Sequence, residues 1–294
     1  MINFRVFVIE RTMATRRTAA IFFFLTAFSF GAGAQEARSG EMAVAEDSLH
    51  RAFESLYALG GDEERKAKSV EIARYFGEVL HDPGSYDYPF DSLTRIGKVF
   101  SPDRRLRAIT WNVPLSDGTH AYYGFIQYLR RKWGKKMVLY PLEELSSYPE
   151  HTETAVFDTR HWPGALYYEI RVNKHAGKAY YTLFGFDFND MYSNKKVLDA
   201  VTIDRDGSLR FGAPIFVTAD GKVQTRVIFE YSANAVMTLR YDPSLKMIVF
   251  DHLSPIEAGL EGVYKFYGPD FSYDGFVFTD GKWHYRSDLD VRNR

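Results

Sequence analysis

Two stretches of the chain concentrate side chains that could do chemistry. In Phe184-Gly-Phe-Asp-Phe-Asn-Asp190, strand alternation puts Phe184, Phe186 and Phe188 on one face and Asp187 on the other, with Leu183 and Gly185. A carboxylate on a strand that reads as buried must be paired, liganded or set at a pocket rim. Gly185 leaves room beside it for a ligand or a crossing backbone. Asp187 with Asn189 and Asp190 can therefore bind sugar hydroxyls or a hard cation. In the competing reading, Asp187 ends the strand and caps the loop through Ser193.

The second stretch, Tyr267-Gly-Pro-Asp-Phe-Ser-Tyr-Asp-Gly275, reads as a loop dense in Tyr and Asp. Stacking rings beside carboxylates suit a glycan, which makes Tyr267, Asp270, Tyr273 and Asp274 candidate ligand-binding residues. Two carboxylates drawn from Asp187, Asp190, Asp270 and Asp274 would suit acid/base hydrolysis of a glycosidic bond if they converged at about 5 to 9.5 Å. The same residues also describe a tight turn whose Asp side chains bond to local amides. His252 alternates with Ile248 and Phe250 and reads as a core-edge histidine. A Ser-His-Asp set can be assembled in many ways and the sequence selects none, so catalytic residues stay unassigned.

Other chemistry is excluded more firmly. With no cysteine, disulfides, thiolate nucleophiles and Cys-ligated metals are impossible. The chain contains no His-Glu-x-x-His helix, Gly-x-Ser-x-Gly elbow, phosphate loop or dinucleotide fingerprint. Asp204-Arg-Asp-Gly207 begins like a calcium loop but lacks the further oxygen ligands and the closing Glu, and reads as a hairpin turn. No cofactor and no metal are expected.

The N-terminus reads as an address. Arg16 and Arg17 precede an unbroken small-and-apolar run from Ala19 to Phe30, and Ala32-Gly-Ala34 follows as a cleavage signature, the layout of a secretory signal peptide over residues 1–34. Met13 stands close before the arginines, so residues 1–12 can be an over-called start. The run is shorter than the roughly 20 residues a membrane-spanning helix needs, and no transmembrane segment is expected after signal removal. The segment carries four arginines against one glutamate, so its loss takes the formal charge from −1 to −4. An acidic mature chain has no electrostatic reason to bind nucleic acid. The basic run Arg130–Lys136 reads as protection of a strand end against edge pairing.

The composition, 46% hydrophobic and 26% charged over 294 residues, is that of a globular chain. Residues 35–46 read as a flexible leader. Leu49, Ala52, Phe53, Leu56 and Leu59 have helical spacing after a cap at Asp47 or Ser48. A second helix capped by Asp62 carries Val70, Ala73, Phe76 and Leu80, completing an α-helical hairpin over 47–82. From 92 to 291 the period becomes alternating. Strand-like runs cover 94–100, 109–113, 120–129, 136–142, 165–173, 178–188, 196–204, 208–217, 223–232, 236–242, 246–252, 263–267, 275–279 and 282–286, separated by Asp-Gly and Pro-Asp turns. Ile109–Val113 reads as a strand with one buried face. A hairpin turning at Ala233-Asn-Ala235 would set Glu230 across from Arg240 as an ion pair. The expected fold class is mainly β, an antiparallel meander closed as a barrel, sandwich or irregular propeller-like stack, with an N-terminal α-helical hairpin.

The stretches Tyr180–Asp187, Asn194–Lys196, Arg226–Ser232, Met237–Asp242, Met247–Leu253 and Phe266–Gly275 together resemble a family of secreted β-rich proteins of Gram-negative bacteria with no assigned activity. That resemblance implies export to the envelope and brings no site residue with it. The expectation is an exported soluble protein, periplasmic or secreted, serving as a non-catalytic binding or structural module of the cell envelope. Its expected partner is a glycan or another envelope component. The alternative is a carbohydrate-acting hydrolase with paired carboxylates.

Overall fold

Helical periodicity begins earlier than its composition suggests. The computed structural model describes residues 39–130, 136–147 and 149–290; the signal peptide expected over 1–34 and the centre of the basic run lie outside them. α1 spans residues 39–58. Of the leader expected to be flexible, residues 39–46 are therefore helical. The reason is that Met42 and Ala45 extend the stripe of Leu49, Phe53 and Leu56, and all five are buried. Asp47 and Ser48 consequently lie inside the helix, where Asp47 pairs with Arg51.

α2 spans Asp62–His81 and buries Ser69, Ile72, Phe76, Val79 and Leu80. The buried stripe is offset from the expected one, and Val70 is 59% exposed. Asp62 does not cap the helix, whose N-cap is Gly61. Its carboxylate accepts instead from Ser116 N (3.0 Å) and Ser116 Oγ (2.5 Å), stitching the helix start to a sheet turn.

The rest of the chain is mainly β: strands make 45% of the molecule and helices 19%, in antiparallel sheets curled into a half-barrel. The first sheet is β1 (Gly97–Phe100), β2 (Leu106–Pro114), β3 (His120–Arg130) and β4 (Lys136–Leu142), in that order. The second has the order β11-β7-β6-β5, from β5 (Leu166–His175), β6 (Lys178–Asp187), β7 (Ser193–Ile203) and β11 (Arg226–Ser232), with β8 (Leu209–Phe211) on β7. The third has the order β10-β9-β15-β14-β13-β12. Its strands are β9 (Phe216–Val217), β10 (Val223–Gln224), β12 (Leu239–Asp242), β13 (Met247–Pro255), β14 (Tyr267–Thr279) and β15 (Lys282–Arg286). Among these pairings β15 with β9 is parallel, aligning Trp283 with Phe216.

The layers stack so that β2 and β6 have neighbours on both faces. Ile109, Trp111 and Val113 of β2 pack with Phe125 under the two helices. Leu106 and Ala108, on the opposite face, join Tyr167, Tyr181 and Leu183 of the second sheet. β6 repeats the arrangement, sending Leu183 to that core and Phe184 to a third core shared with Phe250, Phe276 and Trp283. The one-faced strand expected at 109–113 is thus covered on both sides. Its polar Thr110 is fully buried because its hydroxyl accepts the Tyr167 N–H of β5 at 3.0 Å. Trp111 meets Phe53 edge-on at 5.6 Å and stacks on Tyr123 at 5.7 Å, contacts worth about 0.5–1.5 kcal/mol each beyond the area they bury.

Three local expectations change. Residues 264–266 form a 3-10 turn rather than a strand. The 208–217 run breaks at Gly212, whose φ of 108° ends β8. The hairpin pairing Glu230 with Arg240 does not form: β11 crosses back to β7, so Glu230 faces Lys195, while Arg240 lies on β12 opposite Val249. Strand alternation allowed both partners; β11 pairs along its edge with β7, and its Val227 and Tyr231 join the third core with Leu239 and Phe250.

Candidate ligand site

The β6–β7 connection binds its polar groups to one another. Asp187, 7% exposed, accepts from the Tyr122 hydroxyl and from Asn189 N, both at 2.8 Å. Asn189, at a φ of 49°, donates from Nδ2 to Ser193 Oγ at 2.7 Å, and its Oδ1 accepts from Lys195 Nζ at 2.5 Å. Asp190 Oδ1 takes the N–H groups of Tyr192 (2.7 Å) and Ser193 (2.8 Å). Asn189 and Asp190 therefore work as turn residues, and Asp187 as a strand-end acceptor that also reaches a cavity wall.

The Tyr- and Asp-rich stretch is not a loop. It belongs to β14, because Tyr267, Gly268 and Pro269 pair with β13 and pairing resumes at Tyr273 opposite Asp251. Between them Asp270, Phe271 and Ser272 bulge out. Phe271 sits at a φ of 69° and is 89% exposed, while Asp270 Oδ1 accepts from Ser272 N (3.0 Å) and Ser272 Oγ (2.7 Å). A bulge of this kind bends the strand and frees a residue from the ladder. Asp274 is buried. Its Oδ2 takes the His252 Nδ1 proton at 2.7 Å and the Tyr285 hydroxyl at 2.5 Å, and its Oδ1 takes Asp288 N at 3.2 Å. That hydrogen bond holds His252 above its ordinary pKa against the cost of burial. The Tyr267 hydroxyl accepts from Gly262 N at 2.9 Å, and Tyr273 lies half-buried on β14.

A cavity of about 280 Å³ lies beside β7 and β11, and among the named candidates it takes Asp187 alone. Its other chemistry comes from Lys195, Asp199, Arg226, Glu230, the segment around Glu150 and Glu153, and Tyr264. Asp199 and Arg226 face each other across the β7–β11 ladder, each side chain 2% exposed, with Arg226 Nε donating to Asp199 Oδ1. Asp199 Oδ2 accepts from Tyr167 OH at 2.6 Å, which in turn accepts from Trp162 Nε1 at 2.9 Å. Arg226 Nη1 and Nη2 have no hydrogen-bond partner among the described residues. Burying a guanidinium with unpartnered donors is costly; the Phe157 ring, 5.2 Å from the guanidinium, offsets part of that cost. Glu230 Oε1 takes the Ser193 hydroxyl at 2.6 Å and its other oxygen lies 3.8 Å from Lys195 Nζ.

Asp199 and Arg226 were missed as site residues, although for Asp199 a signal was present: it places a charge inside the apolar run Val197–Val201, whereas Arg226 opens β11 beside polar Gln224 and Thr225. Glu144 was missed as well. It follows β4 and accepts the Tyr122 N–H at 2.8 Å, so Tyr122 joins Glu144 through its backbone and Asp187 through its hydroxyl. Burial pushes the Glu144 carboxyl up to about 7; the Tyr122 N–H opposes this and the Asp187 charge adds to it. Nearby, His120 stacks on Phe188 at 4.4 Å, and burial lowers its pKa against the pull of Asp187.

No group of three or more His, Asp or Glu side chains among the described residues is arranged to hold a metal ion, and no described helix is long and apolar enough to cross a membrane. No family model, curated protein or solved structure matches the chain.

Proposed function

We propose that the protein is an exported, non-catalytic binding module of the cell envelope and that the cavity beside β7 and β11 takes a neutral glycan. The observation that carries this reading is the meeting, along one cavity, of buried Arg226, whose Nη1 and Nη2 have no hydrogen-bond partner among the described residues, with the acceptors Asp187, Asp199 and Glu230. Sugar hydroxyls both donate and accept, so they complement such a wall. Tyr264 lines the same cavity and is 44% exposed, which offers a ring for stacking. The excess of carboxylates disfavours acidic saccharides. Of the four carboxylates considered for hydrolysis only Asp187 lines this cavity, so the pairing expected among those four is not found there. Export is supported by the arginine pair, the Ala19–Phe30 run and Ala32-Gly-Ala34.

The test is a panel of neutral and acidic oligosaccharides titrated against the mature chain, with cell fractionation alongside. Neutral sugars should bind, and Tyr264→Ala and Glu230→Gln should each weaken binding about tenfold, equivalent to ~1.4 kcal/mol. Absence of binding across the panel, or binding untouched by both substitutions, overturns the glycan reading. Retention of the full-length chain in the cytosol overturns export.

A further inference from the structure

A second and larger cavity, about 590 Å³, lies between α2 and strands β3 and β4. Its helical wall is Val70, Ala73 and Gly77, and its sheet wall includes Tyr123, Phe125 and Leu142. The helix face is bare because Ala73 and Gly77 are small. A Cβ at residue 77 would already sit 3.4 Å from the Phe125 ring. The result is an apolar slot with Val70 exposed at its edge and Glu144 among its lining residues.

The charge around this slot favours one kind of head group. Arg74, Glu78 and His81 stand on the α2 side, Glu143 and Glu144 on the segment after β4, and Tyr123 on β3; the Tyr122 phenol turns to Asp187 on the other face of the sheet. Asp187 acts on Glu144 from β6. Arg74 is engaged by Glu78 at 2.8 Å, which leaves Glu143 and Glu144 as the surplus. A carboxylate or phosphate head is repelled by that surplus, and an ammonium is attracted.

We propose that this slot binds a single apolar chain bearing a primary ammonium head, the chain lying between α2 and the sheet and the head hydrogen-bonded to Glu144. Nothing in this depends on the glycan cavity. An ammonium placed against a carboxyl that titrates near neutrality drives that carboxyl to ionise, so uptake releases a proton.

The experiment is isothermal titration calorimetry of the full chain with n-decylammonium at pH 7, in two buffers of different ionisation enthalpy, with decanoate and decanol as controls. Expected are a saturable 1:1 isotherm for decylammonium, decanoate at least tenfold weaker, and a fractional proton released per ligand. Glu144→Gln should abolish the proton release and cut affinity tenfold or more. Ala73→Phe, which fills the slot from a partly exposed helix position, should abolish binding while circular dichroism stays unchanged. The proposal is overturned by absence of saturable binding, by equal binding of decanoate, by proton release that survives Glu144→Gln, or by binding that survives Ala73→Phe.

Discussion

Tyr122 and Asp187, 65 residues apart, share a 2.8 Å hydrogen bond from phenol to carboxylate in the buried seam between the first and second sheets. The same hydroxyl accepts Phe188 N at 2.8 Å. One side chain therefore ties β3 to the end of β6. Tyr122→Phe leaves both a carboxylate oxygen and an amide short of a partner, at about 1–3 kcal/mol for such groups. Urea unfolding should show a loss of about 2 kcal/mol with an unchanged m-value. A change below ~0.5 kcal/mol would mean the seam does not depend on this bond.

The Asp199–Arg226 pair gives a sharper contrast. Removing one partner strands the other charge in the interior, so Asp199→Leu or Arg226→Met alone should cost about 3–5 kcal/mol. Replacing both with apolar residues should recover most of that loss. A double-mutant cycle measures the difference, and simple additivity of the two losses would contradict the pairing.

Glu144 makes stability depend on pH. Its folded pKa of about 7 lies above the unfolded value, so the folded chain holds a proton there that the unfolded chain has lost. Stability is greatest below the unfolded pKa and falls as pH rises through about 7. The shift amounts to about 3 kcal/mol over that interval. Denaturation at pH 5 and pH 8 should show the fall in the native chain and a reduced fall in Glu144→Gln. An equal slope in the two proteins would exclude Glu144 as the source.

His252 adds a contribution of the same sign at a different place. Its pKa is raised by Asp274, so the pair's stabilisation is complete below the unfolded histidine value and disappears as pH climbs through the raised one. Because the imidazole is 45% exposed, solvent screens the pair and the effect is small. Its signature is an NMR titration midpoint for His252 above about 6.5, the ordinary histidine value. Asp274→Asn should bring that midpoint down, and a midpoint at or below the ordinary value would contradict the assigned bond.

What the chain encodes locally was legible in its sequence. The alternation from Ser92 onward, the two amphipathic helices and the Asp-Gly turns each arise from forces acting over a few residues. Asp280-Gly281, with φ values of 52° and 81°, closes β14 onto β15 as its residue types require. Even the leader at 39–46 carried its helical stripe in Met42 and Ala45. Choice of partner was another matter. Alternation alone serves β11 equally well against β12 or β7, and only the packed cores decide for β7, which moves Glu230 from Arg240 to Lys195. The site followed the same rule. Asp187 could be singled out as a buried carboxylate. Its companions Tyr122, Asp199, Arg226 and Glu144 come from four other segments, brought together because stacking sheets on both faces leaves each buried charge one place to find a counter-charge or a donor.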